Sequence, residues 1–438
     1  MKMISMTSKS AKFAVFAYLD RETSSVPAGL MTMVEEGSVL LRSTFRYGQR
    51  YVERPKRLEL DPLTLAIPGI GIKEEREPPQ AVSGSGPLLE FGVFRDASPD
   101  HWGRRLIENN LGKTGPLPES EYLMRAGSNR TGALDFRETL TSMESNGELA
   151  QLIELGYLKE AADKVALGEL VPARLSKIFE AGPSMGGARP KAVVEADNIQ
   201  WLAKFSAKDD SFCVPWVEFA TLRLAAAAGL NVPQVRLEDI GENRPVMLIA
   251  RFDREYNGER YERRHFMSAL TLLVRHESES PHTTYADLSE AIARHCAPQY
   301  IKANQSELFA RMVFNILVNN NDDHLRNHGF VFDSKARGLT LSPLYDVVPA
   351  PSVSSDRYLH LGVGREGRAA TLTNAMTQHG VFGLTRDQAL AIIDRVGRVV
   401  RQWKVYFEDA GVPGSDIDKV ATAFRSPREA GACPGLSR

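Results

Sequence analysis

Over residues 13 to 67 the apolar positions fall in short runs, "KFAVFAYL", "GLMTMV", "SVLLRSTF", "RYVER" and "LTLAIPG", broken by glycine, proline and charge. Runs this short, rich in β-branched and aromatic residues, predict a small strand-rich unit. The opening "MKMISMTSKSAKFAVFAYLDRE" holds an apolar run too short to span a bilayer and no small-residue cleavage site, and it reads as a first strand. In "SPDHWGRRLIENNL" the pattern changes period, with Ser98 expected as N-cap and Pro99 in the first helical turn. "PESEYLMRAG" predicts a second helix, and the polar "TSMESNGELA" predicts a boundary near residue 145. "SMGGARPKAVVE" followed by "IQWLAKFSA" reads as a glycine loop feeding paired strands that carry Lys191 and Lys204. "VPWVEFATLRLAAAAGLNVP" predicts a helix stopped by Gly229, Asn231 and Pro233, with strands "QVRLEDI" and "PVMLIARFD" after it. Beyond residue 283 the pattern is helical, and "SELFARMVFNILVNN" sets Leu308, Phe309, Met312, Val313, Ile316 and Leu317 in one apolar stripe. The tail "SPREAGACPGLSR" predicts a loose end.

A chain of 438 residues exceeds one ordinary domain, so about two or three are expected. Apolar residues at 43%, charged residues at 25% and a net charge of -1 are ordinary globular usage, with no basic excess that would point to direct nucleic-acid binding. Cys213, Cys296 and Cys433 are far apart and lack CxxC spacing, which predicts reduced thiols, a cytoplasmic setting and no Cys/His metal cage.

The chemistry concentrates at "NNNDDHLRNHGFVFD", beginning at Asn319. Asn and Asp are also turn and cap residues, because their short side chains bond nearby backbone groups. In this stretch, however, Asp322 and Asn327 stand in a D-x4-N spacing, and "LSPLYD" delivers Asp346 after two short strand-like runs. That is the order of a kinase-type phosphoryl-transfer site: one Asp receives the substrate hydroxyl proton, while the Asn and a later Asp hold magnesium. Magnesium asks for few protein oxygens, since water and phosphate complete its shell. Upstream, Gly186 and Gly187 could bring backbone N–H groups to an anion, although the loop is no Walker A and could be a plain hairpin. Lys204 could reach the phosphates and be held by Glu218 on the next helix, or be a solvated edge charge.

Taken together, "FRDASPDHWGRRLIE", "TGALDF", "SMGGARPKA", "LNVP", "ARFDR", "NNNDDHLRNHGF" and "LSPLYDVV" resemble the HipA-type serine/threonine kinases, toxins of bacterial type II toxin–antitoxin systems. The resemblance implies an α+β fold: a protein-kinase-like two-lobed core behind an additional strand-rich N-terminal subdomain, with a helical C-terminal lobe. It implies domains at residues 1–145, 146–255 and 256–438, with a catalytic loop at 319–328. It places the catalytic base at Asp322, magnesium at Asn327 and Asp346, and the nucleotide lysine at Lys204 with Glu218 as its pair. ATP contacts are implied at Gly186, Gly187, Ala188, Arg189, Lys191, His324, Arg326 and Asn327, and at an adenine hinge of Ala250, Arg251 and Phe252. Ser184 matches a serine that relatives autophosphorylate, and Pro190 departs from relatives with Gln-Glu before the lysine. The implied cofactors are ATP and Mg2+. The implied partners are a helix-turn-helix, HipB-like antitoxin, operator DNA reached through that antitoxin, and a protein substrate among translation components such as aminoacyl-tRNA synthetases; no membrane is implied. Two other readings are a catalytically weak corepressor in an antitoxin–DNA complex, and a small-molecule kinase, whose usual His-x-Asp order is missing because His324 follows Asp322.

Overall fold

The strand-forming runs at the N-terminal end assemble into one antiparallel sheet. β1 (Lys9–Tyr18), β2 (Ser25–Glu36), β3 (Val39–Tyr47) and β4 (Leu134–Arg137) lie in the order β3-β2-β1-β4. This computed structural model describes residues 8–67, 74–81, 86–113, 115–144, 149–171, 187–241 and 244–431, so Ser184, Gly186 and Cys433 lie outside the described residues. Side-chain alternation turns Phe13, Val15 and Ala17 of β1 and Met31 and Met33 of β2 into a core with Phe45, Phe91, Phe94 and Phe136. Phe94 meets Phe45, Phe91 and Phe136 edge-on, with ring centres 5.2, 5.5 and 5.7 Å apart, the arrangement aromatic quadrupoles favour.

Three local expectations are corrected. "RYVER" is no strand: residues Gln49–Val52 form a short helix, because the Tyr51 ring stacks on Tyr47 at 5.7 Å and its hydroxyl donates to the Leu58 carbonyl. "LTLAIPG" is likewise turned at its start, where the Asp61 carboxylate accepts from the Leu63 and Thr64 N–H groups. The helix expected from Ser98 runs His101–Asn110 instead. Asp100 caps it by accepting from Gly103 N–H at 2.7 Å, while Ser98 donates to Glu119. A carboxylate at this end also meets the positive pole of the helix, which favours Asp over Ser.

The chain divides into two compact units: Met1–Ala203 with Arg251–Met267, and Lys204–Ala250 with Ser268–Arg438. Besides the first sheet, the first unit contains β5 (Ala150–Gln151) parallel to β6 (Lys191–Ala196), beside β7 (Ile199–Lys204). Asp197 and Asn198 make the β6–β7 turn at φ 54° and 58°, a two-residue geometry that suits the strand twist. In the second unit, β8 (Val235–Asp239) and β9 (Pro245–Ala250) pair antiparallel and pack on the Val214–Ala227 helix. Helices Tyr285–His295 and Arg386–Val400 cover the Ile301–Val318 helix. As a result Leu308 to Val318 are buried on all sides rather than along one stripe. Of the tail expected to be loose, Ala430 is buried and its carbonyl accepts from Leu372 N–H at 2.8 Å. Among the described residues no helix is long and apolar enough to cross a membrane.

Candidate active site

The acidic turn begins where the central helix of the second unit must stop. Asn319 takes the left-handed conformation, φ 52°, that ends the helix, and its amide donates to the Ala350 carbonyl. Asn320 is buried, donating from its backbone to the Asn315 carbonyl and from its side chain to Asn315 Oδ1. These two asparagines are caps. The two aspartates that follow have opposite surroundings. Asp322 is exposed, and its backbone carbonyl accepts from Asn327 Nδ2 at 2.7 Å. Asp323 is 1% exposed; its Oδ2 accepts from the Tyr285 hydroxyl at 2.6 Å and its Oδ1 from His360 N–H at 2.7 Å. The Tyr285 oxygen in turn accepts from Asn315 Nδ2 at 2.9 Å. Burial pushes the Asp323 carboxyl up to about 7, although both hydrogen bonds favour its charged form.

Lys204 closes β7, and its ammonium lies 2.5 Å from Glu218 Oε1 and 3.0 Å from Asp346 Oδ1. Glu218 projects from the Val214–Ala227 helix and is 2% exposed at its side chain. Burial alone would lower the Lys204 pKa, but the two carboxylates outweigh it and hold the ammonium above its usual range. Asp346 sits at φ 58°, a left-handed backbone that Asp tolerates better than most residues. Its segment is tied to the acidic turn: Tyr345 donates its hydroxyl to the Arg326 carbonyl at 2.7 Å, and Ala350 N–H donates to the Asn319 carbonyl at 3.0 Å. The second unit therefore carries an exposed Asp, an Asn braced beside it, and a Lys–Glu pair that also engages a second Asp.

With Nδ2 of Asn327 donating to the Asp322 carbonyl, its Oδ1 is the acceptor end of the amide, and among the described residues no cluster of three His, Cys, Asp or Glu forms a metal cage. An amide oxygen and one carboxylate are too few to trap an ion alone, but they match magnesium bound together with phosphates.

His324 and Arg326 face a pocket of about 210 Å³ with Glu277, Ser280 and His360 in its wall and Leu270 and Leu325 beneath. The Arg326 guanidinium pairs with Glu277. In the first unit, Gly187 stands at φ 115°, its carbonyl accepting from Lys191 Nζ at 3.1 Å. The same ammonium makes a buried ion pair with Asp100 at 2.7 Å. Ala188 and Arg189 are exposed and Pro190 is buried. Of the expected hinge, Ala250 N–H donates to the Gln234 carbonyl. Arg251 is fully engaged, bidentate to Asp253 at 3.0 and 2.9 Å and bonded to Asn129 Oδ1 and the Arg130 carbonyl. Phe252 packs on Phe266 with ring centres 6.2 Å apart. The side chains of Lys191 and Arg251 thus hold the fold of their own unit. Asp323, Tyr285, Glu277 and His360 were assigned no role from sequence, and only Asp323 carried a signal, as the second acid of the quoted turn.

Mixed sheets in one part of the chain and a helical body carrying this turn in the other define an α+β protein of the protein-kinase-like class. HipA of Shewanella oneidensis MR-1, solved with HipB and operator DNA, shares the fold: TM-score 0.64 at 16% identity over 93% of this chain and 94% of that one. The family described as HipA-like C-terminal domain matches residues 183–403, and the chain belongs to it. Y4dM of Sinorhizobium fredii, a proposed kinase by name, is 23% identical over 89% of this chain and 91% of its own length. A protein of Haemophilus influenzae, also named as a proposed kinase, is 26% identical over 46% of this chain and 64% of its own.

Proposed function

We propose that this chain is a protein kinase that transfers the γ-phosphoryl group of Mg-ATP to a serine or threonine hydroxyl and acts as the toxin of a toxin–antitoxin pair. The observation that carries the reading is the Lys204–Glu218–Asp346 contact in the same unit as the Asp322–Asn327 loop. In this reading Asp322 takes the hydroxyl proton as the oxygen bonds to the γ-phosphorus, and the bond to the bridging oxygen breaks to release ADP. Lys204, oriented by Glu218, binds the phosphates. Asn327 and Asp346 hold magnesium, which when bound offsets the charge that develops on the phosphates. Assignment of the loop around Gly186, Gly187 and Ser184 to phosphate binding and autophosphorylation rests on its motif.

By likeness to the HipA–HipB–DNA assembly, the partner in this reading is a HipB-like helix-turn-helix antitoxin that brings operator DNA. The target proposed from the sequence motifs is a translation protein such as an aminoacyl-tRNA synthetase, and cysteine usage favours a cytoplasmic setting. Purified chain incubated with labelled ATP, magnesium and cell extract should label a target protein and, by mass spectrometry, Ser184. Asp322→Asn should lower transfer by roughly 10^2- to 10^4-fold, with growth arrest lost and the fold intact, since Asp322 is exposed. A variant as active and as toxic as the parent would sink the reading.

A further inference from the structure

The pocket next to the Asp322 turn takes in His324 and Arg326, which the family resemblance implies as ATP contacts, but none of the residues that the proposed mechanism sets on the phosphates or magnesium. Neither Lys204, Asn327 nor Asp346 is among its described lining residues. Its volume, about 210 Å³, falls below the roughly 300 Å³ at which small-molecule sites begin, so it suits one side chain rather than a nucleotide. Its polar wall is one-sided. Arg326 supplies guanidinium donors, His324 and His360 add ring nitrogens, and Glu277 is the only carboxylate among the described lining residues. Two of those residues hold a buried ring or guanidinium nitrogen with no hydrogen-bond partner in the structure, His324 Nδ1 and Arg326 Nε. The Glu277 side chain is 58% exposed, and ion pairs open to water this way are weak and readily exchanged.

The wall is also fixed in place. His360 is held by its backbone N–H on Asp323 at 2.7 Å and by its ring against Ser280 Oγ at 2.9 Å. Ser280 Oγ in turn accepts from Leu325 N–H at 3.1 Å, and the rings of His324 and His360 meet edge-on at 5.9 Å. Leu270 and Leu325, both buried, give an apolar floor. A wall held in this way, with the donor-only Arg326 guanidinium above an apolar floor, fits a short aliphatic stem that ends in an acceptor-only group.

We propose that this pocket binds the carboxylate of an Asp or Glu in the protein substrate, a few residues from the serine or threonine that Asp322 serves, with Glu277 occupying Arg326 until the substrate displaces it. The proposal rests on the kinase reading and deepens it by naming the substrate class: sites with a flanking acid. Arg326 is then a residue of acceptor choice, and its guanidinium gives the substrate carboxylate a charge-assisted hydrogen bond.

The test is a positional peptide library with a fixed Ser or Thr centre, phosphorylated by the full chain with labelled Mg-ATP, with autophosphorylation and the KM for ATP measured in the same preparations. The parent should prefer Asp or Glu over Asn or Gln at one flanking position by about tenfold in kcat/KM, the size of one charged hydrogen bond. Glu277→Gln removes the internal competitor and should raise that preference severalfold. Arg326→Glu should reverse it toward Lys or Arg at the same position, which a merely structural role would not do. If Arg326→Glu does not fold, Glu277→Gln decides alone, because its side chain is mostly in water. Peptide phosphorylation without acidic preference, a preference indifferent to Glu277→Gln, or autophosphorylation with no peptide labelled would overturn the pocket assignment and leave the kinase reading standing. No transfer from ATP to any acceptor would overturn both.

Discussion

Replacing Asp323 by Asn should change how the stability of this protein depends on pH. Asp323 is 1% exposed, and burial lifts its carboxyl from 3.8 to about 7. Between those two values the folded protein holds a proton that the unfolded chain has released. Stability from this group is therefore full below about pH 4, falls as pH rises, and is gone above about pH 7. At 1.36 kcal/mol per pH unit, the two units from pH 5 to 7 amount to about 2.7 kcal/mol. Asn cannot titrate, so the variant lacks this slope. His265 and His328 are buried and pushed down to about 4 and about 3, which gives an opposing slope as pH falls below 6.5, but both proteins share it. The measurement is urea unfolding of parent and variant at pH 5 and pH 8. The parent should lose about 2.5 kcal/mol relative to Asp323→Asn between them. Parallel pH dependence would mean that the Tyr285 hydroxyl and the His360 N–H stabilise the charged carboxylate enough to cancel its burial, and the reasoning would be wrong.

Two further substitutions test the ionic framework. Lys204→Met leaves Glu218 buried without a cation, at a cost of roughly 3 kcal/mol, the low end for a buried pair because Asp346 is 32% exposed. Calorimetry should show a lower unfolding temperature and no Mg-ATP binding, and unchanged ATP affinity would remove Lys204 from the site. Asp253→Asn leaves Arg251 and Arg254 without the carboxylate both engage, so the urea midpoint should fall by an amount worth about 3–5 kcal/mol, and a shift under 1 kcal/mol would contradict this account.

Where local chemistry decides the structure, the sequence was legible. The paired strands around "SMGGARPKAVVE" and "IQWLAKFSA", the helix ending at Gly229 and the strand pair flanking Asp333 to Gly338 all carry their own start and stop signals. Where two plausible local signals compete, the structure chose by tertiary contact. Ser98 and Asp100 are both good caps, and Glu119 takes the Ser98 hydroxyl and leaves the helix to Asp100. "RYVER" alternates like a strand, yet Tyr51 stacks on Tyr47 and the segment turns as a short helix. The stripe on the Ile301–Val318 helix was readable, but burial of its other face depends on helices that arrive from elsewhere in the chain.

The same limit explains the site. Spacing alone picks out Asp322, Asn327 and Asp346, because kinase-like loops bring the residues together at fixed intervals, and the Lys204–Glu218 pair follows from strand-then-helix order. Spacing singles out Asp322 through Asn327, but it does not tell which of the two adjacent aspartates is buried. What separates them is Tyr285, 38 residues upstream, and the His360 backbone, 37 residues downstream, which draw one carboxylate inward and leave its neighbour in water. The division has a chemical consequence. In the proposed mechanism the base must meet its substrate, which suits the exposed Asp322, while a loop that presents a base in one geometry needs an anchor that does not move. Asp323 meets that need by joining the turn to the segment that bears His360, and His360 lines the pocket into which Arg326 points. The residue that sequence reading left unassigned therefore links the position of the base to the wall we assign to the acceptor. Loss of Asp323 should accordingly disturb the choice of peptide as well as the rate of transfer.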